Sequence, residues 1–119
     1  MNNKEFAQAL ELRTKQFAVK ILKLSAKLPN TAEANVIRNQ ISKSGTSVGA
    51  NYREANRSRS KADFTSRIRI CESEASETSY WLEIIQEFDW VEKGELIVLL
   101  KESNELLAIF CSIGKNLKS

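Results

Sequence analysis

Basic side chains are concentrated in one short stretch of this 119-residue chain. Arginines alternate with serines just before a predicted helix, and Tyr52 lies a few residues upstream. A guanidinium group binds phosphate oxygens through paired hydrogen bonds, and Ser60 would add the positive end of a helix dipole. This composition is typical of a nucleic-acid-binding surface. The predicted binding residues are Lys43, Arg53, Arg57, Arg59, Lys61 and Arg67.

The net charge of +3 conceals a strong segregation of charge along the sequence. Residues 36–71 hold eight Lys or Arg and two acidic residues, whereas residues 72–95 hold eight acidic residues and one Lys. Two interpretations stay open. The basic segment binds RNA, DNA or another anion, or it forms ion pairs with acidic side chains of the same or a neighbouring subunit. Those acidic side chains are Glu72, Glu74, Glu77, Glu83 and Glu87.

The composition argues against catalysis. The chain has no histidine, which is the side chain that most often transfers protons near neutral pH and the commonest metal ligand. Its glutamates lack the Glu-x-x-His motif of metal sites in helical bundles. Cys71 and Cys111 are isolated, which favours small buried apolar residues over a metal or redox site. We therefore expect a non-enzymatic protein with no catalytic residue, cofactor or metal site.

The chain has the composition of one compact domain. It is 42% hydrophobic with a single proline, and its longest apolar run, Leu96–Leu100, is far too short to cross a membrane. The polar N-terminus lacks the hydrophobic stretch of a secretory signal. We expect residues 1–119 to form one domain, located in the cytoplasm and without membrane contacts.

Apolar residues recur at steps of three and four along four segments, and this period predicts α-helices. Two capping boxes are predicted at helix starts, Asn30 with Glu33 and Ser60 with Asp63. Because the connections are short, neighbouring helices should be antiparallel. The expected fold is all-α, an up-and-down four-helix bundle. The predicted helices cover about Asn3–Lys27, about Thr31–Arg57, a segment after Ser60 that carries Phe64–Ile85, and about Glu95–Leu117.

Gly45 and Gly49 interrupt the second predicted helix, where each costs about 1 kcal/mol relative to alanine. One interpretation is a loop over residues 44–49 that divides this segment into two shorter helices. The other is a continuous helix whose small face lets a neighbouring backbone approach closely. The local sequence does not decide between them.

The last two predicted helices each carry two apolar rows, which is more than a small bundle buries within one subunit. Exposed apolar patches of this kind usually mark an interface, and we therefore expect a homo-oligomer. The pattern leaves open which row of each helix faces the subunit core. The residues assigned to the interface are Trp81, Ile84, Phe88, Leu99, Leu106 and Phe110.

Several short motifs occur together along the chain. They are Gln40-Ile41, Ser47-Val48, Ala50-Asn51 with Glu54, the run Ser60–Phe64, and the pattern of Glu74, Glu77 and Trp81-Leu82. With them the chain resembles, over nearly its whole length, the bacterial four-helix bundle proteins called S23 or intervening-sequence proteins. Some members of that family are encoded inside insertions in large-subunit ribosomal RNA genes. The chain departs from the family pattern at Ser42, Gly49 and Ala55, where arginine, proline and glycine are usual.

The resemblance implies a ring-like homopentamer of antiparallel bundles in which the second helix is continuous. It also implies similarity to the accessory protein of diversity-generating retroelements, which binds nucleic acid and a reverse transcriptase. Asn51 and Glu54 look like a polar pair that fixes the corner between the second and third helices. We therefore expect a non-enzymatic oligomer that binds structured RNA. The alternative is a protein-interaction scaffold whose arginines bind an unidentified acidic protein partner.

Overall fold

Four long helices joined by short turns form residues 2–117, the part of the chain that the computed structural model describes. The helices are α1 (Asn3–Ser25), α2 (Ala32–Asn56), α3 (Lys61–Ile85) and α4 (Lys93–Leu117). Helices that follow one another in sequence pack tightly, whereas α4 touches α1 only loosely. Within residues 2–117 the backbones of the diagonal pairs, α1 with α3 and α2 with α4, stay apart, although side chains such as Tyr52 of α2 and Phe110 of α4 meet in the core. The predicted four-helix bundle is confirmed.

Side-chain caps set the helix starts. The Ser60 hydroxyl accepts a hydrogen bond from the Asp63 amide at 3.1 Å, as the sequence predicts for the start of α3. The start of α2 differs by one residue, because the cap is Thr31, whose hydroxyl accepts from the Ala34 amide at 3.2 Å. The predicted capping box at Asn30 is therefore wrong. Adjacent Asn and Thr are both good N-caps, so the local sequence alone does not select one.

The other helix ends lie within two residues of their predicted positions. α1 ends at Ser25, two residues before the predicted end at Lys27. α4 begins at Lys93, two residues before the predicted start at Glu95. Arg38 contacts the end of α1, since its guanidinium donates to the carbonyl of Ser25 at 3.0 Å and also to the carbonyls of Leu28 and Pro29. These bonds add to the backbone hydrogen bonds of the turn that follows the helix. Arg38 is thus a structural member of the basic segment.

α2 is continuous through both glycines, so the interpretation with a loop at residues 44–49 is wrong. Gly45 lies against Ile21 of α1, where an added Cβ would be only 2.7 Å from Ile21 Cγ2. Gly49 lies against Thr14, and a Cβ there would be 3.0 Å from the hydroxyl and 3.3 Å from the backbone carbonyl carbon. The two glycines let α1 and α2 approach more closely than larger residues would allow.

The structure corrects half of the predicted oligomer interface. Leu99, Leu106 and Phe110 belong to the row of α4 that is buried inside the subunit, so their side chains are not available to a second subunit. Both apolar rows of α4 have the spacing of a core-facing row, so the sequence does not show which one is buried. The positions of the neighbouring helices decide this. Of the remaining predicted residues, Trp81 and Ile84 lie on α3 and Phe88 lies in the turn that follows it. Trp81 and Ile84 are half-buried and Phe88 is exposed.

Hydrogen-bonded hydroxyls cross the core and show how the helices are aligned. The Thr78 hydroxyl donates to the Ser44 hydroxyl at 2.9 Å, and the hydroxyls of Ser79 and Ser103 lie 2.7 Å apart. The Cys71 thiol contacts the Val48 carbonyl at 3.4 Å, and burial raises the pKa of this thiol to about 12. As α2 advances from Ser44 to Val48, its partner on α3 recedes from Thr78 to Cys71, so α2 and α3 are antiparallel.

Among residues 2–117, no helix has the length and apolar character that a membrane-spanning helix requires. Cys71 is buried, as the sequence predicts, whereas Cys111 is only half-buried. The two cysteines are free thiols.

Candidate nucleic-acid interface

The basic residues meet at the corner where α2 passes into α3. Arg57 forms the C-cap of α2, the turn runs to Ser60, and Lys61 opens α3. This turn is fixed at both ends, since the Arg57 amide bonds the Glu54 carbonyl at 3.1 Å and Ser60 caps the following helix. We call the exposed cations at this site the basic corner. Its members are Arg53, Arg57, Arg59, Lys61 and Arg67.

Three cations of the basic corner are free to bind a ligand. Within residues 2–117, the side chains of Arg57, Arg59 and Lys61 form neither an ion pair nor a hydrogen bond, and all three are exposed. No carboxylate of the described residues therefore neutralises their positive charge. Because they follow one another within five residues of a fixed turn, they present a compact cationic surface to a polyanion.

The other two members hold internal contacts. Arg67 of α3 donates to the Asn51 side-chain oxygen of α2 at 3.1 Å, which leaves its charge uncompensated because the acceptor is neutral. Arg53 lies 3.7 Å from Glu11 of α1, and the same carboxylate accepts a bond from Asn56 at 2.9 Å. Glu11 therefore offsets part of the charge of Arg53. This pairing has no signal in the local sequence, because Glu11 lies far from the basic segment in the chain.

Lys43, which was assigned to nucleic-acid binding, and the nearby aromatic Tyr52 lie outside the basic corner. Lys43 is exposed, but fourteen residues separate it from Arg57, roughly 21 Å along a helix. It is therefore outside the basic corner. Tyr52 is buried and packs edge-on against Phe110 with ring centroids 5.5 Å apart, so its ring is not available to stack on a base. The binding chemistry of the corner is that of its guanidinium and ammonium groups.

The predicted polar pair at the corner forms only in part. Asn51 does connect the two helices, because it accepts from Arg67 and donates to the Ser47 carbonyl at 2.8 Å. Glu54 is exposed and does not bond Asn51. It lines a groove of about 320 Å³ between α1 and α2, together with Glu11 and Arg53. The family resemblance suggested this pair, but within residues 2–117 Asn51 bonds Arg67 and Ser47 instead.

Ion pairs within the subunit do not involve the acidic segment that begins at Glu72, except for Glu95 at its end. Among residues 2–117, Arg13 pairs with Glu102 at 2.6 Å and with Glu105 at 3.5 Å, and Lys27 pairs with Glu95 at 2.9 Å. The basic corner and the five glutamates of α3 and its C-terminal end thus do not neutralise each other in one subunit. Within the described residues, the basic corner therefore forms no ion pair with these five glutamates in the same subunit, whereas pairing with a neighbouring subunit stays open.

Within residues 2–117 no three carboxylate or thiol groups converge closely enough to hold a metal ion.

Comparison with known proteins gives a consistent result. Residues 8–112 match the family described as 23S rRNA-intervening sequence protein. A crystal structure at 1.70 Å of a protein of unknown function from the S23 ribosomal protein family of Bacteroides thetaiotaomicron is 35% identical in sequence. It superposes with a TM-score of 0.83 and covers 92% of this chain and 97% of its own. No functionally curated protein is significantly similar.

Proposed function

The chain belongs to the 23S rRNA-intervening sequence protein family, and from this premise we propose that it is a non-enzymatic cytoplasmic protein that binds structured RNA through the basic corner. It acts as a homo-oligomer, and the family resemblance suggests a pentamer. The observation that carries the proposal is the set of exposed cations Arg57, Arg59 and Lys61, which have no carboxylate partner within residues 2–117. The family description, which refers to 23S rRNA, supports RNA as the ligand.

Several basic corners in one homo-oligomer would bind RNA more tightly than a single corner does. A single turn with three free cations makes few phosphate contacts, and each contact is weak at physiological salt. Once one corner of an assembly binds an RNA, the other corners meet the same RNA at a high effective concentration. The overall affinity then exceeds that of a single corner. Because Tyr52 is buried, contacts to the phosphate backbone should dominate, and binding should depend strongly on salt and weakly on base sequence.

Charge reversal at the corner tests this proposal. We expect Arg57→Glu/Arg59→Glu to lower the affinity for a labelled structured RNA by about tenfold or more, because phosphate contacts are lost. The same loss should reduce the salt dependence of binding. Fluorescence anisotropy at low and at physiological salt measures both quantities. The matched control is Lys93→Glu/Lys101→Glu, which changes the net charge equally but away from the corner.

The control separates a local effect from a general one. Equal losses in both double variants would show that only net charge matters and would contradict a site at the corner. A protein that binds neither structured RNA nor duplex DNA at low salt would favour the alternative, a protein-interaction scaffold. Exposed aromatic and acidic side chains on α3 are the observation that supports this second candidate.

A further inference from the structure

A small groove lies between α3 and α4, near the end of the bundle that carries the basic corner. It measures about 170 Å³, and its lining includes Ile68, Arg69 and Glu72 of α3 with Gly114 and Lys115 of α4. We call it the α3/α4 groove. Sites for drug-sized molecules measure roughly 300–1,000 Å³, so this groove suits a group no larger than a single planar ring system.

Two cations line the α3/α4 groove, one from each helix. Arg69 and Lys115 are exposed, and within residues 2–117 neither side chain forms an ion pair. Guanidinium and ammonium groups each donate several hydrogen bonds, and phosphate oxygens accept them strongly. The mouth of the groove therefore attracts phosphate groups.

Glu72 adds a hydrogen-bond acceptor to the wall of the groove. It is half-buried, and a hydrogen bond with its carboxylate raises the pKa of the Cys111 thiol, which therefore stays protonated near neutral pH. A carboxylate has two oxygens, so Glu72 can accept a further bond while it contacts the thiol. Glu72 repels phosphate, but a carboxylate accepts from the exocyclic amino group of a base such as cytosine.

Gly114 leaves space in the groove that the packing of the helices does not need. A Cβ added at Gly114 would meet no atom within 4 Å, whereas Gly45 and Gly49 both lie tightly against α1. A glycine inside a helix costs about 1 kcal/mol relative to alanine. Close packing offsets that cost at Gly45 and Gly49, but no neighbouring helix of residues 2–117 does so at Gly114. Space for a ligand accounts for the glycine.

The α3/α4 groove is within reach of an RNA strand bound at the basic corner. Arg67 of the corner bonds Asn51 of α2, whereas Arg69 lines the groove with α4, so α3 carries cations toward both of its neighbours. Arg69 follows Lys61 by eight residues, about 12 Å along a helix. With a rise of roughly 3.4 Å for each nucleotide, a strand spans this distance in about four nucleotides.

We propose that the α3/α4 groove binds one unpaired nucleotide of the RNA, with its phosphates on Arg69 and Lys115 and the amino group of its base on Glu72. A base within a duplex cannot enter, because it is stacked and its amino group is already bonded. This inference rests on the proposed function and deepens it. The preferred RNA contains a bulge or a loop, and the bound base carries an amino group, as cytosine does and uracil does not.

Two blunt RNA duplexes that differ by one bulged cytidine test this inference by fluorescence anisotropy. We expect the unmodified protein to bind the bulged duplex about fivefold or more tightly than the paired one, because a hydrogen bond to a charged group is added. Gly114→Val fills the groove and should abolish this preference without changing the affinity for the paired duplex. Ser112→Val, on the exposed surface of α4, is the matched control and should keep the preference.

A bulged uridine in place of the cytidine tests the role of Glu72. The unmodified protein should bind the uridine bulge more weakly than the cytidine bulge, because uracil has no amino group to donate. Glu72→Ala should bind the two bulged duplexes equally. This variant also keeps the inference testable if Gly114→Val loses its helices by circular dichroism.

Failure of this inference differs from failure of the proposed function. Equal binding of the bulged and the paired duplex, or a preference that survives in folded Gly114→Val, overturns the groove as a nucleotide site but leaves the basic corner intact. Binding of neither duplex at low salt overturns both. Cytidine monophosphate is the competitor that distinguishes a free nucleotide from RNA. If it abolishes the bulge preference at concentrations comparable to those of the RNA, the groove binds a free nucleotide and its assignment to RNA is overturned.

Discussion

Replacing Phe110 with alanine should lower the free energy of unfolding by about 3–5 kcal/mol, a large fraction of the stability of a small domain. The Phe110 side chain is fully buried and packs edge-on against Tyr52. Removal of the ring leaves a cavity between α2 and α4 that these helices can fill only in part. Urea unfolding followed by circular dichroism, at matched protein concentrations, measures the loss.

Phe6→Ala is the matched control, because it makes the same chemical change at a residue of α1 whose side chain is 41% exposed. The expected change there is small, within about 0.5–1 kcal/mol. The comparison also decides between a core role and an interface role for Phe110. If Phe110→Ala dissociated the oligomer but left the unfolding of the subunit unchanged, the assignment of Phe110 to the subunit core would be wrong.

Replacing Gly45 with valine should lower the free energy of unfolding by about 2–3 kcal/mol, although valine has the better helix propensity. The reason is steric, because the first added carbon would lie 2.7 Å from Ile21 Cγ2 and the branched side chain of Ile21 is fully buried. α1 and α2 must therefore move apart. Thermal or urea unfolding gives the magnitude.

Gly114 provides the control for this substitution, since a Cβ there meets no atom within 4 Å. Gly114→Val should leave stability nearly unchanged or raise it slightly. The double variant Gly45→Val/Ile21→Ala should cost less than the sum of the single changes, because the new side chain enters the space that Ile21 leaves. Strict additivity, or a stabilising Gly45→Val, would contradict close packing of α1 on α2.

Periodicity predicts the helices of this chain well because all four are long and amphipathic. Prediction fails where one sequence pattern is compatible with two local structures. Asn30 and Thr31 are both good caps, and only the geometry of the turn selects Thr31. α4 has two apolar rows, and the packing of α3 and α1 decides that Leu106 lies inside the subunit. A glycine pair such as Gly45 and Gly49 needs its neighbours on α1 before its role can be assigned.

The position of the basic corner could be predicted because its cations are close together in the sequence. The clustering of Arg57, Arg59 and Lys61 is local in sequence, and the structure keeps these cations together and exposed. Contacts between distant segments decide the rest. Glu11 binds Arg53 from α1, and Tyr52 turns inward against Phe110, and neither contact has a signal in the local pattern.

The central claim is that RNA covers the basic corner, and arginine protection measures this most directly. The protein is treated with phenylglyoxal, which modifies accessible guanidinium groups, with and without a structured RNA, and each arginine is quantified by mass spectrometry. We predict that RNA protects Arg57 and Arg59 strongly, while Arg13, which is held by Glu102, changes little. Equal modification of Arg57 and Arg59 with and without bound RNA would contradict the account.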